Sequence, residues 1–336
     1  MKKRNRILAV VLGICLSAAL LCACGSAEKK EEGSAEGSPA SVSKETFTVG
    51  ICQLVQHPAL DSATQGFKDE LTKQFGNSII FDEANASGDS ATCATICNGF
   101  VSEDVDLIMA NATPALQAAA SSTDQIPILG TSISTYSAAL NLDNFSGVVG
   151  GNISGTSDLA PLDQQAAMVK ELFPNAKTVA ILFCSSEVNS VYQADVLEEE
   201  LTKLGFTVVR KTFTDSNDVA LVTQEACTGN DVIFIPTDNT AASCSEAIDA
   251  IAREAKVPII TGDEGIAQVC GVATLTIDYY ELGKVTAQMA AKILLGEENI
   301  SEMEIQYFPN PVKKFNKELA DLFKVTIPSD YVEIEK

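Results

Sequence analysis

From residue 45 onward the chain alternates between short runs of apolar and β-branched residues and longer segments whose apolar residues recur with helical spacing. The short runs are predicted as strands, at residues 47–54, 79–81, 106–110, 126–129, 178–183, 207–210, 231–235, 258–260 and 273–277. Strands that are apolar on both faces and separated by helices are typical of parallel sheets covered by helices. The alternation therefore predicts an α/β fold.

The strands fall into two sets of about five, which predict two similar lobes. Residues 273–277 are predicted as an edge strand of the second set. A further helix at 282–295 and a tail follow once the second set is complete, so we expect the chain to cross back between the lobes. The predicted lobes are residues 45–155 with about 282–306, and residues 156–281 with about 307–336.

The first 23 residues differ from the rest of the chain. Four basic residues precede an apolar run at 7–21, and the sequence Leu-Cys-Ala-Cys ends at Cys24. This arrangement is typical of a secretory signal, and the run is shorter than the ~18 to 20 residues that span a bilayer. Its ending resembles the lipobox of bacterial lipoproteins. We predict residues 1–23 as a signal peptide and Cys24 as the lipidated first mature residue, with an uncleaved anchor as the alternative.

Residues 24–44 are rich in glycine, serine and charged residues and have no apolar period. Such a segment cannot bury a core and is predicted to be a flexible tether. A lipid on this tether would hold a folded domain at a membrane surface. We therefore expect the protein to be extracytoplasmic and anchored to the cell membrane by lipidated Cys24.

The chain carries 45 acidic against 23 basic residues, a formal net charge of -22, although 46% of its residues are hydrophobic. That hydrophobic content excludes a disordered acidic chain. A nucleic-acid-binding protein needs basic groups that displace counterions from phosphates, whereas surplus carboxylates repel a polyanion. Nucleic acid is therefore not an expected partner.

The residues that catalysis or metal binding would need are sparse. His57 is the only histidine, so no histidine cluster is available to bind a metal. The chain has neither a Gly-x-Ser-x-Gly elbow nor a glycine-rich nucleotide loop at a strand end. Cys93 and Cys97 are spaced to share a helix face, and we interpret the cysteines as buried thiols, with a disulfide or a metal as the alternative. We predict no catalytic residue, no cofactor and no metal.

In open α/β sheets ligands bind beyond the carboxyl ends of the strands, so the loops after the predicted strands form the candidate site. The first half offers hydroxyls and amides, with the candidates Gln56, His57, Thr113, Thr131 and Ser132. The second half adds carboxylates, with the candidates Ser186, Asn189, Asp238, Asn239, Asp263, Asp278 and Tyr279. Donors on one lobe and acids on the other suit a zwitterionic ligand.

Thr113 and Pro114 together predict the start of a helix, with Thr113 as the N-cap and Pro114 as the first helical residue. The free N–H groups and positive dipole end of that helix would bind a carboxylate or a phosphate. An ordinary helix cap is the alternative interpretation.

Several segments match one known family in the same order along the chain. They are residues 49–61, Ala112-Thr-Pro-Ala115, Pro236-Thr-Asp-Asn-Thr240 and Ile277-Asp-Tyr-Tyr-Glu-Leu-Gly283. Over about residues 46 to 330 the chain resembles the ABC-transporter substrate-binding lipoproteins of the tryptophan/tyrosine-uptake type. The resemblance implies a type I periplasmic-binding-protein fold, with two Rossmann-like lobes joined by three crossovers, and a permease with its ATPase as partners. The family's common Glu-His before Pro is Gln56-His57 here.

With this resemblance, roles can be suggested for the candidate residues. The ligand carboxylate is expected at the helix start of Thr113 and at the hydroxyls of Thr131 or Ser132. Its ammonium is expected at Asp238 or Asp263, although Asp238 is alternatively an N-cap and Asp263 a turn residue. Asn189 and Asn239 would orient the ligand and Tyr279 would cover its side chain. Asp278 is expected in a hinge or site role.

The sequence therefore predicts a monomeric substrate-binding lipoprotein of an ABC importer. It would capture a small solute, an aromatic or large apolar amino acid, by closure of its two lobes. One alternative is a receptor of the same fold for a sugar, a nucleoside or a branched-chain amino acid. Another is a ligand sensor for a signalling partner.

Overall fold

The computed structural model describes residues 46–308 and 310–335 of the 336-residue chain. The predicted signal peptide, the tether and Cys24 lie outside the described residues. None of the helices in the described part is long and apolar enough to cross a membrane.

Thirteen strands and twelve α-helices lie within the described residues. The strands are β1 (Phe47–Gln53), β2 (Ile79–Asn85), β3 (Leu107–Asn111), β4 (Ile128–Ile133), β5 (Ile153–Ser157), β6 (Thr178–Cys184), β7 (Thr207–Phe213), β8 (Val232–Ile235), β9 (Ile259–Thr261), β10 (Ala273–Thr276), β11 (Gln306–Tyr307), β12 (Val312–Phe315) and β13 (Val332–Glu333). The helices are α1 (Pro58–Phe75), α2 (Ser90–Ser102), α3 (Thr113–Ser122), α4 (Tyr136–Leu140), α5 (Leu162–Leu172), α6 (Val188–Lys203), α7 (Val219–Cys227), α8 (Asn239–Ser243), α9 (Ser245–Ala255), α10 (Glu264–Val269), α11 (Tyr279–Leu294) and α12 (Lys317–Phe323).

The strands form two sheets, and the predicted α/β fold with two parallel-dominated sheets is confirmed. The first sheet has the order β11-β5-β4-β3-β1-β2 and is parallel throughout. The second has the order β13-β12-β10-β9-β8-β6-β7. We call the first sheet with α1–α4 and α11 the first lobe, and the second sheet with α5–α10 and α12 the second lobe. The chain passes between the sheets after β5, after β10 and after β11; the predicted lobe boundaries stay a prediction.

The predicted edge position of residues 273–277 is wrong. β10 lies between β9 and β12, and it pairs with β12 in an antiparallel arrangement. The tail after β11 supplies β12, which the sequence does not reveal because two of its four residues are lysines. The last crossing of the chain therefore completes the second sheet.

Strand β5 was missed in the sequence because its residues, Ile-Ser-Gly-Thr-Ser, are mostly small and polar. It is nevertheless buried, because its polar side chains are paired inside the first lobe. Thr156 Oγ1 lies 3.2 Å from Thr131 Oγ1 and 2.8 Å from Thr286 Oγ1 of α11. These hydroxyl contacts replace the apolar packing that an ordinary buried strand uses.

Helices α1 and α11 pack at the level of their backbones. A Cβ atom on Gly66 would overlap the carbonyl oxygen of Tyr280, and one on Gly283 would overlap the carbonyl oxygen of Ala63. Both helices begin at the wall of one cavity between the lobes: His57 is the N-cap of α1, and Tyr279 is the first residue of α11. The close approach of the helices therefore fixes the distance between two lining residues.

We expect Gly66→Ala and Gly283→Ala each to lower the free energy of unfolding by about 1 to 3 kcal/mol, because overpacking forces the backbones apart. Gly99→Ala is the matched control, since Gly99 lies in α2 with no other atom near its Cβ position. That change should stabilise the protein by about 1 kcal/mol through helix propensity. Urea unfolding measures the free energy of unfolding of all three variants. If Gly66→Ala and Gly283→Ala change it no more than Gly99→Ala does, the close-packing role is contradicted.

Candidate ligand-binding site

A narrow cavity lies where the carboxyl ends of strands from both sheets meet. Its lining residues are His57, Ala59, Leu60, Ser132, Ser134, Asp158, Asn189, Thr237, Asp238, Asn239, Asp263 and Tyr279. They follow or end strands β1, β4, β5, β6, β8, β9 and β10. The position matches the crevice in which open α/β sheets bind ligands.

Unpartnered polar atoms are concentrated at this cavity. Of the eight buried side-chain nitrogen and oxygen atoms without a hydrogen-bond partner in the described part of the chain, four belong to lining residues. They are His57 Nδ1, Ser132 Oγ, Asp158 Oδ1 and Asn189 Oδ1. A buried polar atom without a partner costs free energy that a ligand hydrogen bond recovers. A larger surface groove beside β13 has none of these eight residues in its lining.

The protonation of His57 follows from its partners. Its Nε2 lies 3.3 Å from Asn239 Oδ1, and Asn239 Nδ2 donates to Glu187 Oε2 at 2.6 Å. Because the amide nitrogen of Asn239 faces a carboxylate, its oxygen faces the imidazole, which places the proton on Nε2. Burial lowers the pKa of His57, so the ring is neutral and Nδ1 is an acceptor. The same contact joins the first lobe to the second.

Glu187 organises the second-lobe side of the cavity although it does not line it. Its buried carboxylate accepts hydrogen bonds from the backbone N–H groups of Asn239 and Thr240, at 3.1 and 2.8 Å. It also accepts from the side chains of Thr240, Asn239 and Asn189. This carboxylate therefore orients both asparagine amides. The sequence prediction missed it, although it stands in the loop after β6 that was singled out.

Asp238 is the N-cap of α8, which was the alternative interpretation of this residue. Its Oδ1 accepts from the N–H of Ala241 at 2.8 Å, and its Oδ2 from the N–H of Cys184 at 2.6 Å. Burial, and then the carboxylate of Glu187, raise the pKa of Asp238, whereas the two backbone hydrogen bonds oppose the rise. Asp238 lines the cavity, but both oxygens are engaged by the protein.

Asp158 and Asp263 are the other two acids of the cavity. Asp158 Oδ2 accepts from the hydroxyl of Tyr279 at 3.0 Å, and burial raises the pKa of Asp158 to about 6. Asp263 is the N-cap of α10, where its Oδ1 accepts from the N–H of Ile266 at 2.9 Å. Burial raises its pKa to about 7, with a contribution from the charge of Asp158. No Lys or Arg is among the lining residues, so no cation of the protein offsets these acids there.

The structure brings seven of the sequence candidates to the cavity and leaves five outside it. Those in the lining are His57, Ser132, Asn189, Asp238, Asn239, Asp263 and Tyr279. Those outside are Gln56, Thr113, Thr131, Ser186 and Asp278. Asp158 was missed because β5 was missed; an acid directly after a strand was the signal that could have found it.

The five outside residues have other surroundings. Gln56 is exposed, and Thr131 belongs to the buried hydroxyl cluster with Thr156 and Thr286. Ser186 is exposed and donates to the carbonyl of Thr214 at 2.8 Å. Asp278 is exposed and caps α11, accepting from the N–H of Glu281 at 3.0 Å.

The prediction that Thr113 caps its helix is wrong. α3 begins at Thr113, and its N-cap is Ala112 at φ 88° without a side-chain hydrogen bond. The N–H of Leu116 bonds to the carbonyl of Ala112 at 3.1 Å, so the first turn closes one residue earlier than expected. Thr113 Oγ1 is buried without a partner.

The seven cysteines in the described residues are free thiols, and five of them are buried. Among the described residues no group of three or more His, Cys, Asp or Glu is arranged to hold a metal ion. Cys93 and Cys97 lie on the buried side of α2.

Two parallel-dominated sheets with a small cavity at their strand ends are typical of two-lobed solute-binding proteins. The chain matches the family model of the ABC transporter substrate binding protein over residues 48–333, and it belongs to that family. This is a family of solute-binding proteins and not of enzymes, and its members act outside the cytoplasm.

Three relatives are similar over most of their length. A tyrosine-binding protein of Clostridioides difficile (strain R20291) is 34% identical over 300 residues, which are 88% of this chain and 86% of that protein. A structure from Streptococcus pneumoniae in complex with L-Trp is 30% identical with a TM-score of 0.82, covering 86% of this chain and 99% of that one. A ligand-free, open substrate-binding protein with adhesive properties from Clostridium difficile is 37% identical with a TM-score of 0.65, covering 86% and 100%.

The chain superposes better on the L-Trp complex than on the open structure, although the open structure is the more similar in sequence. Sequence divergence alone would give the opposite order.

We expect Asp158→Asn to stabilise the ligand-free protein at pH 7.5 and to have little effect near pH 4. The pKa of Asp158 is raised by burial to about 6, from an ordinary value of 3.8. The parent therefore loses stability as pH rises from about 4 to 6, and this loss is complete above 6. The Asp158→Asn variant does not suffer this loss. Its free energy of unfolding should exceed that of the parent by up to about 3 kcal/mol, at about 1.4 kcal/mol per pKa unit. Urea unfolding at several pH values measures the difference.

Asp89→Asn is the control, because Asp89 is an exposed N-cap of α2 whose hydrogen bonds lower its pKa. That variant should show no gain at pH 7.5. If Asp158→Asn instead lowers the free energy of unfolding by the same amount at pH 4 and pH 7.5, the expected cost of the buried charge is contradicted.

Proposed function

We propose that this chain is the lipid-anchored receptor of an ABC importer and that it captures an aromatic amino acid by closure of its two lobes. The observation that carries the proposal is the enclosed cavity with its four unpartnered polar atoms. A tyrosine-binding relative at 34% identity and an L-Trp complex at 30% identity support the ligand class.

The lining of the cavity supports a ligand with the groups of one amino acid. Ala59, Leu60 and the ring of Tyr279 supply apolar surface for a side chain. Ser132 supplies an unpartnered hydroxyl for a carboxylate.

Two contacts that cross between the lobes support the proposed closure. His57 of the first lobe meets Asn239 of the second, and Gln193 Nε2 of α6 lies 3.4 Å from Ser134 Oγ of the first lobe. A ligand that touches both lobes stabilises the closed form by its higher affinity for that form. The permease and its ATPase would recognise the closed receptor, which acts as a monomer held at the membrane by lipidated Cys24.

The ligand class is tested by thermal unfolding of residues 40–336 with tyrosine, tryptophan, phenylalanine, leucine, a pentose and a nucleoside. A true ligand at 100 times its Kd adds about 2.7 kcal/mol to the folded state. We expect this from tyrosine or tryptophan. Because the chain contains no Trp, the indole emission of bound tryptophan gives an independent signal. Stabilisation by the pentose or nucleoside, with none by any aromatic amino acid, would sink the proposal.

The lipid anchor is tested by Cys24→Ser in the full chain. The parent should sediment with membranes, whereas the variant should be released into the soluble fraction because it lacks the thiol that carries the lipid. Cys22→Ser is the matched control and should remain with the membranes. Retention of both variants would instead support an uncleaved anchor.

A further inference from the structure

Two buried acids reach the same cavity from different parts of the fold. Asp158 follows β5 of the first sheet, and Asp263 follows β9 of the second. Their exposed fractions are 4% and 2%. Neither has a salt bridge within the described residues, and no Lys or Arg lines the cavity. A buried carboxylate without a compensating cation is costly, so the pair favours either protons or a positively charged ligand.

The hydrogen bonds show which carboxylates can still accept from a ligand. Asp238 uses both oxygens on backbone N–H groups. Asp158 uses Oδ2 on Tyr279, and its Oδ1 is buried without a partner. Asp263 accepts from the N–H of Ile266 and also interacts with the N–H of Gly265, and its carboxylate keeps further acceptor lone pairs. Asp158, which has an unpartnered oxygen, is therefore better placed than Asp238 to bind a ligand, and Asp263 lines the same cavity.

The other unpartnered atoms of the cavity are mostly acceptors too. His57 Nδ1 is the bare nitrogen of a neutral ring, and Asn189 Oδ1 is an amide oxygen. Among the four unpartnered lining atoms only the Ser132 hydroxyl is able to donate. A primary ammonium has three donors and no acceptor, so it complements this set, whereas a carboxylate offers acceptors alone.

We propose that Asp158 and Asp263 hold the primary ammonium of the ligand between them, with His57 Nδ1 or Asn189 Oδ1 as the third acceptor. This inference rests on the proposed function and adds the group by which the cavity selects its ligands. The ammonium brings one positive charge into a wall with two buried acids. A deaminated analogue keeps the carboxylate but lacks the ammonium. Its net negative charge is therefore repelled by the two buried acids.

The test compares three ligands with one aromatic skeleton by calorimetry at pH 7.5. They are the amino acid, its decarboxylated amine and its deaminated acid. The parent should bind the amino acid and the amine, and it should bind the deaminated acid at least about tenfold more weakly, the effect of one charge-assisted contact. Equal affinity for the amino acid and the deaminated acid would overturn the inference.

Asp158→Asn and Asp263→Asn then assign the contact. Asparagine still accepts from Tyr279, and it is still a good N-cap for α10, so both variants should fold. Each should bind the amino acid at least about tenfold more weakly and the deaminated acid more tightly than the parent does, because one repelling charge is removed. Loss of structure alone would weaken the binding of both the amino acid and the deaminated acid. Asp89→Asn, the same change at an N-cap outside the cavity, should alter neither affinity.

The outcomes separate the inference from the proposed function. If the amino acid binds the parent and both variants equally well, the ammonium contacts are wrong while the amino-acid receptor stands. If the amine binds but the amino acid does not, the receptor proposal fails and the ammonium site stands. If neither amine nor amino acid binds, both are overturned.

Discussion

The backbone contact between α1 and α11 is the constraint on which the rest of the site depends. α1 follows β1 of the first sheet, whereas α11 follows β10 of the second, so the contact ties together segments that leave different sheets. Gly66 and Gly283 allow it, because a Cβ at either position would overlap a carbonyl oxygen. Ala59, Ala63, Tyr279 and Leu282 then pack in one hydrophobic cluster at the start of both helices. The cavity is built on this cluster.

Polar groups around the cavity divide into those that hold the protein and those that face the ligand. Glu187 and Asp238 are saturated by N–H, amide and hydroxyl donors of the second lobe. They fix the loop that carries Asn239, and through it the tautomer of His57. Asp158 keeps one oxygen without a partner. Position at a strand end does not distinguish these two roles; only the donors around each carboxylate do.

The fold could be predicted because most strands are continuous apolar runs, such as β8 with the sequence Val-Ile-Phe-Ile. The approximate place of the site followed, since strand ends of parallel sheets converge. The roles of individual residues did not follow. Asp238 was recognised by its position, but its function depends on the N–H of Cys184, 54 residues away. Asp158 was lost with β5, whose burial depends on Thr131 and Thr286 and on no local apolar pattern.

The buried acids also connect ligand binding to the movement of the lobes. Opening the cleft would return Asp158 and Asp263 to water, whereas closing it buries them. A ligand cation compensates both charges in the closed form only, so it adds to the difference in affinity that drives closure. His57 takes part in the same coupling. Its Nε2 bonds to Asn239 across the lobes and its Nδ1 faces the cavity, so the interlobe contact fixes the tautomer that a donor on the ligand requires.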